Sequence, residues 1–121
     1  ISPDKTLIKS EVIEVIIPAF EGYMTILKDH ISLVTFLRPG FIEVKKENNK
    51  EKFYIEEGTV EFFKNNLLIL SSTIKNRKDF LAEDASKMLE ETQKKIKNAS
   101  IKDKESYILS YKIETLKEII H

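Results

Sequence analysis

The sequence predicts an all-β antiparallel sandwich or barrel of short strands followed by a C-terminal α-helical hairpin. Three observations carry this. Apolar and polar residues alternate with period two through the first two thirds of the 121 residues. Turn residues recur every ten residues or so, and no stretch long enough for a helical crossover separates the strands. Near Asp79 the apolar spacing changes to three and four.

Ile13, Val15 and Ile17 share one side of a strand with Glu14 on the other, and Pro18 is expected to close it. Phe41, Glu43 and Lys45 alternate with Ile42 and Val44, and Asn48-Asn49 leads into Phe53-Tyr54-Ile55. Asparagine tolerates positive φ, so the pair predicts a hairpin. The same device at Asn65-Asn66 joins Thr59–Phe63 to Leu67–Leu70. Phe62-Phe63 puts one ring on each face of its strand, one for the core and one either covered by helices or left as a contact patch. Gly22, Gly40 and Gly58 are expected to serve backbone geometry.

Leu81, Ala85, Met88, Leu89, Thr92 and Ile96 form the stripe of a first helix. Asn98-Ala99-Ser100 interrupts it, and Ser100 with Asp103 resembles an N-terminal cap. Leu109, Ile113, Leu116 and Ile120, widened by Ile108 and Ile119, form a second stripe. The expected division is a sandwich over 1–78 and a hairpin over 79–121. Helices this short need a surface to dock on, and stripes this sparse predict reversible docking.

Composition narrows the function. With no cysteine there is no disulfide, thiolate metal site or cysteine nucleophile. Residues 1–78 carry 12 Lys/Arg against 11 Asp/Glu, net +1, and residues 79–121 carry 8 against 9, net −1. No basic face is large enough to bind a phosphate backbone, so nucleic acid is not expected as a partner. The longest apolar run, Leu67–Leu70, is far too short to span a bilayer. No secretory signal is visible, and since the chain starts at Ile1 a missing leader or trimmed first strand stays open. His30 and His121 are the only histidines, and neither a GxSxG elbow nor a GK[ST] loop occurs. Asp29 beside His30 would point elsewhere on an extended chain, and a turn role is the simpler reading of His30. Catalysis, cofactors and metals are not expected. A small enzyme built on His30 with Asp29 or Glu21 remains as a competing reading.

The most distinctive stretch runs from Phe20-Glu21-Gly22-Tyr23 through Ile26-Leu27 and His30 to Leu33–Leu37 and Arg38-Pro39-Gly40. With Ser2-Pro3-Asp4-Lys5, Val12–Pro18, Phe53-Tyr54-Ile55 before Gly58, Leu67–Ser71 and the two-helix tail, it resembles the epsilon-subunit family of rotary F-type ATP synthases, called delta in mitochondria. The resemblance spans essentially the whole chain. It implies a flattened all-β sandwich of about ten short antiparallel strands followed by a C-terminal α-helical hairpin, acting as a non-catalytic rotor part. The sandwich would clamp the gamma subunit and touch the c ring, and the helices, meeting alpha and beta subunits transiently, would restrain ATP hydrolysis. Such a protein would lie peripherally on the cytoplasmic face of a bacterial inner membrane, without inserting into it; a mitochondrial or plastid inner membrane is the alternative. A free-standing sandwich adaptor recruiting an unrelated protein through its hairpin is the competing reading.

By resemblance, Glu21, Gly22 and Tyr23 match the part facing the c ring, and His30 and Leu33 the part facing gamma. The chain departs from the family at Thr25, where glycine is usual, at Lys28 and Ser32, where proline is usual, and at Glu57, where glycine is usual. Tyr23 stands where some members carry an acid. Some bacterial members bind ATP through an I/L-D-x-x-R-A motif opening the first helix. Here Leu81 replaces its acid and Asp84 its arginine, with only Ala85 matching. A carboxylate where guanidinium is needed predicts no functional ATP site, which calorimetric titration of the chain tests.

Overall fold

The computed structural model describes residues 6–97 and 103–121, with side chains for 11–97 and 105–121. Nine strands precede two helices: β1 (Thr6–Glu11), β2 (Glu14–Ala19), β3 (Gly22–Leu27), β4 (Leu33–Leu37), β5 (Gly40–Lys45), β6 (Lys50–Ile55), β7 (Gly58–Phe63), β8 (Asn66–Ser71), β9 (Lys75–Asn76), α1 (Ala82–Lys97) and α2 (Asp103–Ile120). Every pairing is antiparallel. One layer follows the order β1-β8-β7-β4 and the other β3-β2-β5-β6-β9, joined where Ala19 meets Leu37. This is the predicted sandwich with its helical hairpin.

The core lies between the layers. Val60, Phe62, Leu67 and Ile69 point in from the first layer, and Val15, Ile17, Ile26, Ile42, Val44 and Ile55 from the second. Burying each such side chain contributes roughly 1.5–3 kcal/mol before entropy is set against it. Gly58 lets β7 start against β8. Its φ is +153°, and a Cβ there would lie 2.7 Å from the Leu70 carbonyl oxygen.

Three local expectations shift. Val12 rather than Ile13 enters the core, because β1 has ended and the chain is turning between layers, with the Val12 N–H donating to the Asn65 carbonyl. Pro18 lies inside β2 instead of closing it. Pairing with β5 stops at Ile16, so the side that Pro18 would have served with an N–H needs no ladder bond. The second hairpin turns on Lys64 and Asn65, both at positive φ, and Asn66 already pairs with Phe63. A turn one residue later would flip Leu67 and Ile69 out of the core. At the first hairpin Lys45 pairs with Lys50, and Asn48 and Asn49 keep negative φ.

After β9, one 3₁₀ turn (Arg77–Asp79), capped by the Asn76 side chain, leads into α1. Glu83 and Asp84 sit in the first turn of α1 and Lys94, Lys95 and Lys97 in its last, matching the helix dipole. Asn98-Ala99-Ser100, and with them the expected serine cap, lie outside the described residues. The hairpin lies on the outside of the second layer, where Ala85, Leu116 and Ile119 pack with Phe41, Tyr54 and Phe80 in a second core. Thr92 and Thr115, both buried, donate to the carbonyls of Met88 and Tyr111 one turn back, so neither hydroxyl is stranded.

Candidate interaction surfaces

The singled-out residues fall at opposite ends of β3. Six residues of strand set those ends roughly 20 Å apart. At one end Phe20 and Glu21 form the turn into β3, and Gly22 enters it at φ +131°. Tyr23 follows on the outside of the second layer, 55% exposed, its hydroxyl accepting from the Phe41 N–H at 3.2 Å. At the other end Asp29 takes φ +68° in a turn closed by the His30 N–H and the Leu27 carbonyl. Asn65 pins it from both sides, accepting from the Asp29 N–H at 2.6 Å and donating to the Asp29 carboxylate at 2.9 Å. The exposed His30 ring donates from Nδ1 to the Ile31 carbonyl at 2.7 Å and sets its edge against Phe62.

Leu33 faces inward and packs against the main core. Its neighbours face out: Val34 is 68% and Phe36 65% exposed, joined on the outside of the first layer by Phe63 at 57%. With Leu68 and Leu70, half-buried on the same face, they make a mainly apolar sheet surface, interrupted by Glu61 between Val34 and Leu68 and by Thr59 between Phe36 and Leu70, that nothing covers among the described residues. The sequence carries a signal for this. Leu33–Leu37 is apolar at four of five positions, so both faces of that strand ask for cover. Phe62 and Phe63 do part as expected, and the helices lie on the other layer, leaving Phe63 bare.

The hairpin is tied down by polar contacts as well. Tyr54 donates to Glu56 at 2.8 Å, and Lys112 of α2 pairs with the same carboxylate at 3.1 Å. Burial, with Glu56 beside it, pushes the Tyr54 phenol far up, so it stays a donor. Arg77 donates to the Ile119 carbonyl, and Arg38 to the carbonyls of Ala19 and Pro39. These are the only two arginines in the sequence; Arg38 is buried on its carbonyls, and Arg77 is half-buried with one contact of 3.4 Å. Leu81 and Asp84, at the positions of the missing nucleotide motif, are exposed. Among the described residues no three His, Cys, Asp or Glu converge as a metal site would require.

Comparison with known proteins gives the family. The family of the ATP synthase delta/epsilon chain, β-sandwich domain, matches residues 1–77. An ATP synthase epsilon chain of Pelagibacter ubique is 42% identical over 120 residues, covering 98% of this chain and 92% of the relative. The chain belongs to the ATP synthase delta/epsilon family. Within that family, an epsilon chain of Leptospira interrogans is 36% identical over 94 residues, covering 78% and 74% of the two chains. The fold matches a chain in the mitochondrial ATP synthase of Euglena gracilis, solved with OSCP, F1 and c-ring, at TM-score 0.68 and 23% identity, covering 91% and 71%. A chain of the Tetrahymena thermophila central stalk and c-ring matches at TM-score 0.53 and 10% identity, covering 89% and 81%. A member of this family is a subunit of the synthase rather than its catalytic part. Among the described residues no helix is long and apolar enough to cross a membrane.

Proposed function

We propose that this chain is the non-catalytic central-stalk subunit of a rotary, proton-translocating ATP synthase. It links gamma to the c ring, and its C-terminal helices restrain ATP hydrolysis. The chain works as two units, residues 1–78 as the rigid clamp and 79–121 as the movable brake, held peripherally at the cytoplasmic face of a bacterial inner membrane by its partners.

The observation that carries this reading is the bare apolar surface of Val34, Phe36 and Phe63. A rigid sheet face of this kind suits a shaft that must transmit torque through contact area. Gamma meets the sandwich here, with His30 at the rim and Leu33 supporting the face from the core side. Glu21, Gly22 and Tyr23, at the far end of β3, meet the c ring. Chains of the same fold sit in one assembly solved with F1 and c-ring and in one central stalk solved with its c-ring, which fits a place beside that ring. Alpha and beta subunits are met transiently when the hairpin opens.

The competing readings find less support. A free-standing adaptor would recruit through the hairpin, whose stripe is here spent on Phe41 and Tyr54. An enzyme built on His30 would need a base partner, yet the Asp29 carboxylate is held by Asn65 and His30 Nδ1 by a carbonyl. Reconstitution with gamma tests the proposal. The full chain should form a stable complex, and removing residues 79–121 should keep the complex while raising ATPase rate. A chain that fails to bind gamma overturns it.

A further inference from the structure

We infer that Arg38 is a positioning residue that couples the Phe20–Tyr23 turn to the docked state of α2, so that moving Tyr23 loosens the helix. Arg38 is only 6% exposed. Among the described residues it has no carboxylate within ion-pair distance. Its charge is met instead by two backbone carbonyls, Ala19 at 3.2 Å and Pro39 at 2.8 Å, and by two aromatic rings. Tyr111 of α2 lies 3.9 Å from the guanidinium carbon and Tyr23 of the turn 4.9 Å. A largely desolvated cation over a ring face is where cation–π attraction is greatest.

The parts holding these rings belong to different regions. Ala19 and Tyr23 flank the β2–β3 turn, while Tyr111 stands one turn before Leu116 and Thr115, the buried contacts of α2. The Tyr23 ring is itself fixed by its hydroxyl at the Phe41 N–H, an approach that Gly40 permits, since a Cβ at residue 40 would lie 2.9 Å from that hydroxyl. Glu114 and Glu118 of α2 line the same crevice as Tyr23 and Arg38 and add attraction for the cation. Two sites that share one buried charge are linked, and the linkage is reciprocal: docked α2 steadies the turn as much as the turn steadies α2. The coupling is internal to the chain and stands whatever partner meets the turn.

The absence of cysteine makes the test direct. A85C places a single thiol at a fully buried position in the second core, outside the crevice that Tyr23 and Arg38 line. In this background the rate of labelling by a thiol reagent reports the open fraction of the hairpin. Y111L should speed labelling roughly tenfold, R38K by a similar factor, and Y23A about threefold, the range expected for one cation–π contact. Adding Y23A to Y111L should change nothing further, because without Tyr111 the guanidinium no longer relays the turn to α2. Should R38K disturb the sandwich, detected by its strand circular dichroism, the Y23A and Y111L pair decides alone. A Y111L rate within twofold of the parent overturns the inference, as does a Y23A effect that persists in full beside Y111L.

Discussion

The two outer faces of the sandwich are built alike and finished differently. On the second layer Phe41 and Tyr54 point outward and are buried, because Leu116, Ile119 and Ala85 of the hairpin lie over them. On the first layer Val34, Phe36 and Phe63 point outward and stay in water. Apolar residues on both sides of a strand require a cover on both sides. Here one cover is supplied by the same polypeptide, and the other face stays bare among the described residues. A face closed in cis can reopen, whereas on the proposed reading the bare face is the one that gamma fills.

The largest expected effect breaks the covered face. Leu116 is fully buried between hairpin and sheet. Leu116→Ala should cost about 2–5 kcal/mol of helix docking through lost burial and the cavity left behind. Hydrogen exchange should then show α2 amides losing protection while those of β7 and β8 keep theirs. Equal loss in the strands would mean that hairpin and sandwich form one cooperative unit, contrary to the reversible docking expected from the sparse stripes.

The bare face gives the next largest. Phe36→Asp should weaken gamma binding by about 2 kcal/mol or more, roughly thirtyfold, if Phe36 is a central anchor of the interface. The same substitution should move the melting free energy by only about 0.5 kcal/mol, because the side chain is already exposed. Gamma affinity unchanged in Phe36→Asp would take the interface off this face.

Most of the fold was legible in the sequence because burial repeats with the period of the element. The alternation in Thr59–Phe63 and Leu67–Leu70 fixes which residues face the core; of the two expected helical stripes, Ala85 and Leu116 dock together with the flanking Ile119, whereas Leu81 stays exposed ahead of α1. The turn at Lys64-Asn65 was off by one, since local asparagine preference competes with the register demanded by Leu67 and Ile69. The sites were less legible. Leu33, matched to the gamma-facing part by resemblance, is half-buried against the core, and the larger exposure falls on Val34 and Phe36, which the resemblance does not single out. Nor could spacing reveal Arg38, whose partners Tyr23 and Tyr111 lie 15 residues before it and 73 after it in sequence.

The polar edge of the hairpin adds a smaller term to the covered face. Tyr54→Phe removes the hydroxyl that donates to Glu56 while leaving the ring in the second core. A hydrogen bond from a buried phenol to a carboxylate is worth about 1.5 kcal/mol. Thermal unfolding should therefore show a loss of that size, with α2 exchanging faster, since Lys112 loses a well-placed partner when Glu56 is freed. A loss below about 0.5 kcal/mol would make the Tyr54–Glu56–Lys112 chain incidental to docking.

The smallest effect belongs to His30. Its ring is exposed, its Nδ1 proton goes to the neighbouring carbonyl, and among the described residues its only ring contact is the edge of Phe62. The turn that holds it is set by Asp29 and Asn65, whose mutual hydrogen bonds do not involve the imidazole. His30→Ala should thus lower stability by no more than about 0.5 kcal/mol. At the rim of the bare face it should weaken gamma binding by no more than about 1 kcal/mol, a few-fold change in affinity measured by titration of the labelled chain. A tenfold or greater loss would move the centre of the interface from the apolar sheet to the β3–β4 turn. The bare face would then be a flank of the contact, and Phe36→Asp should show the weaker phenotype of the two.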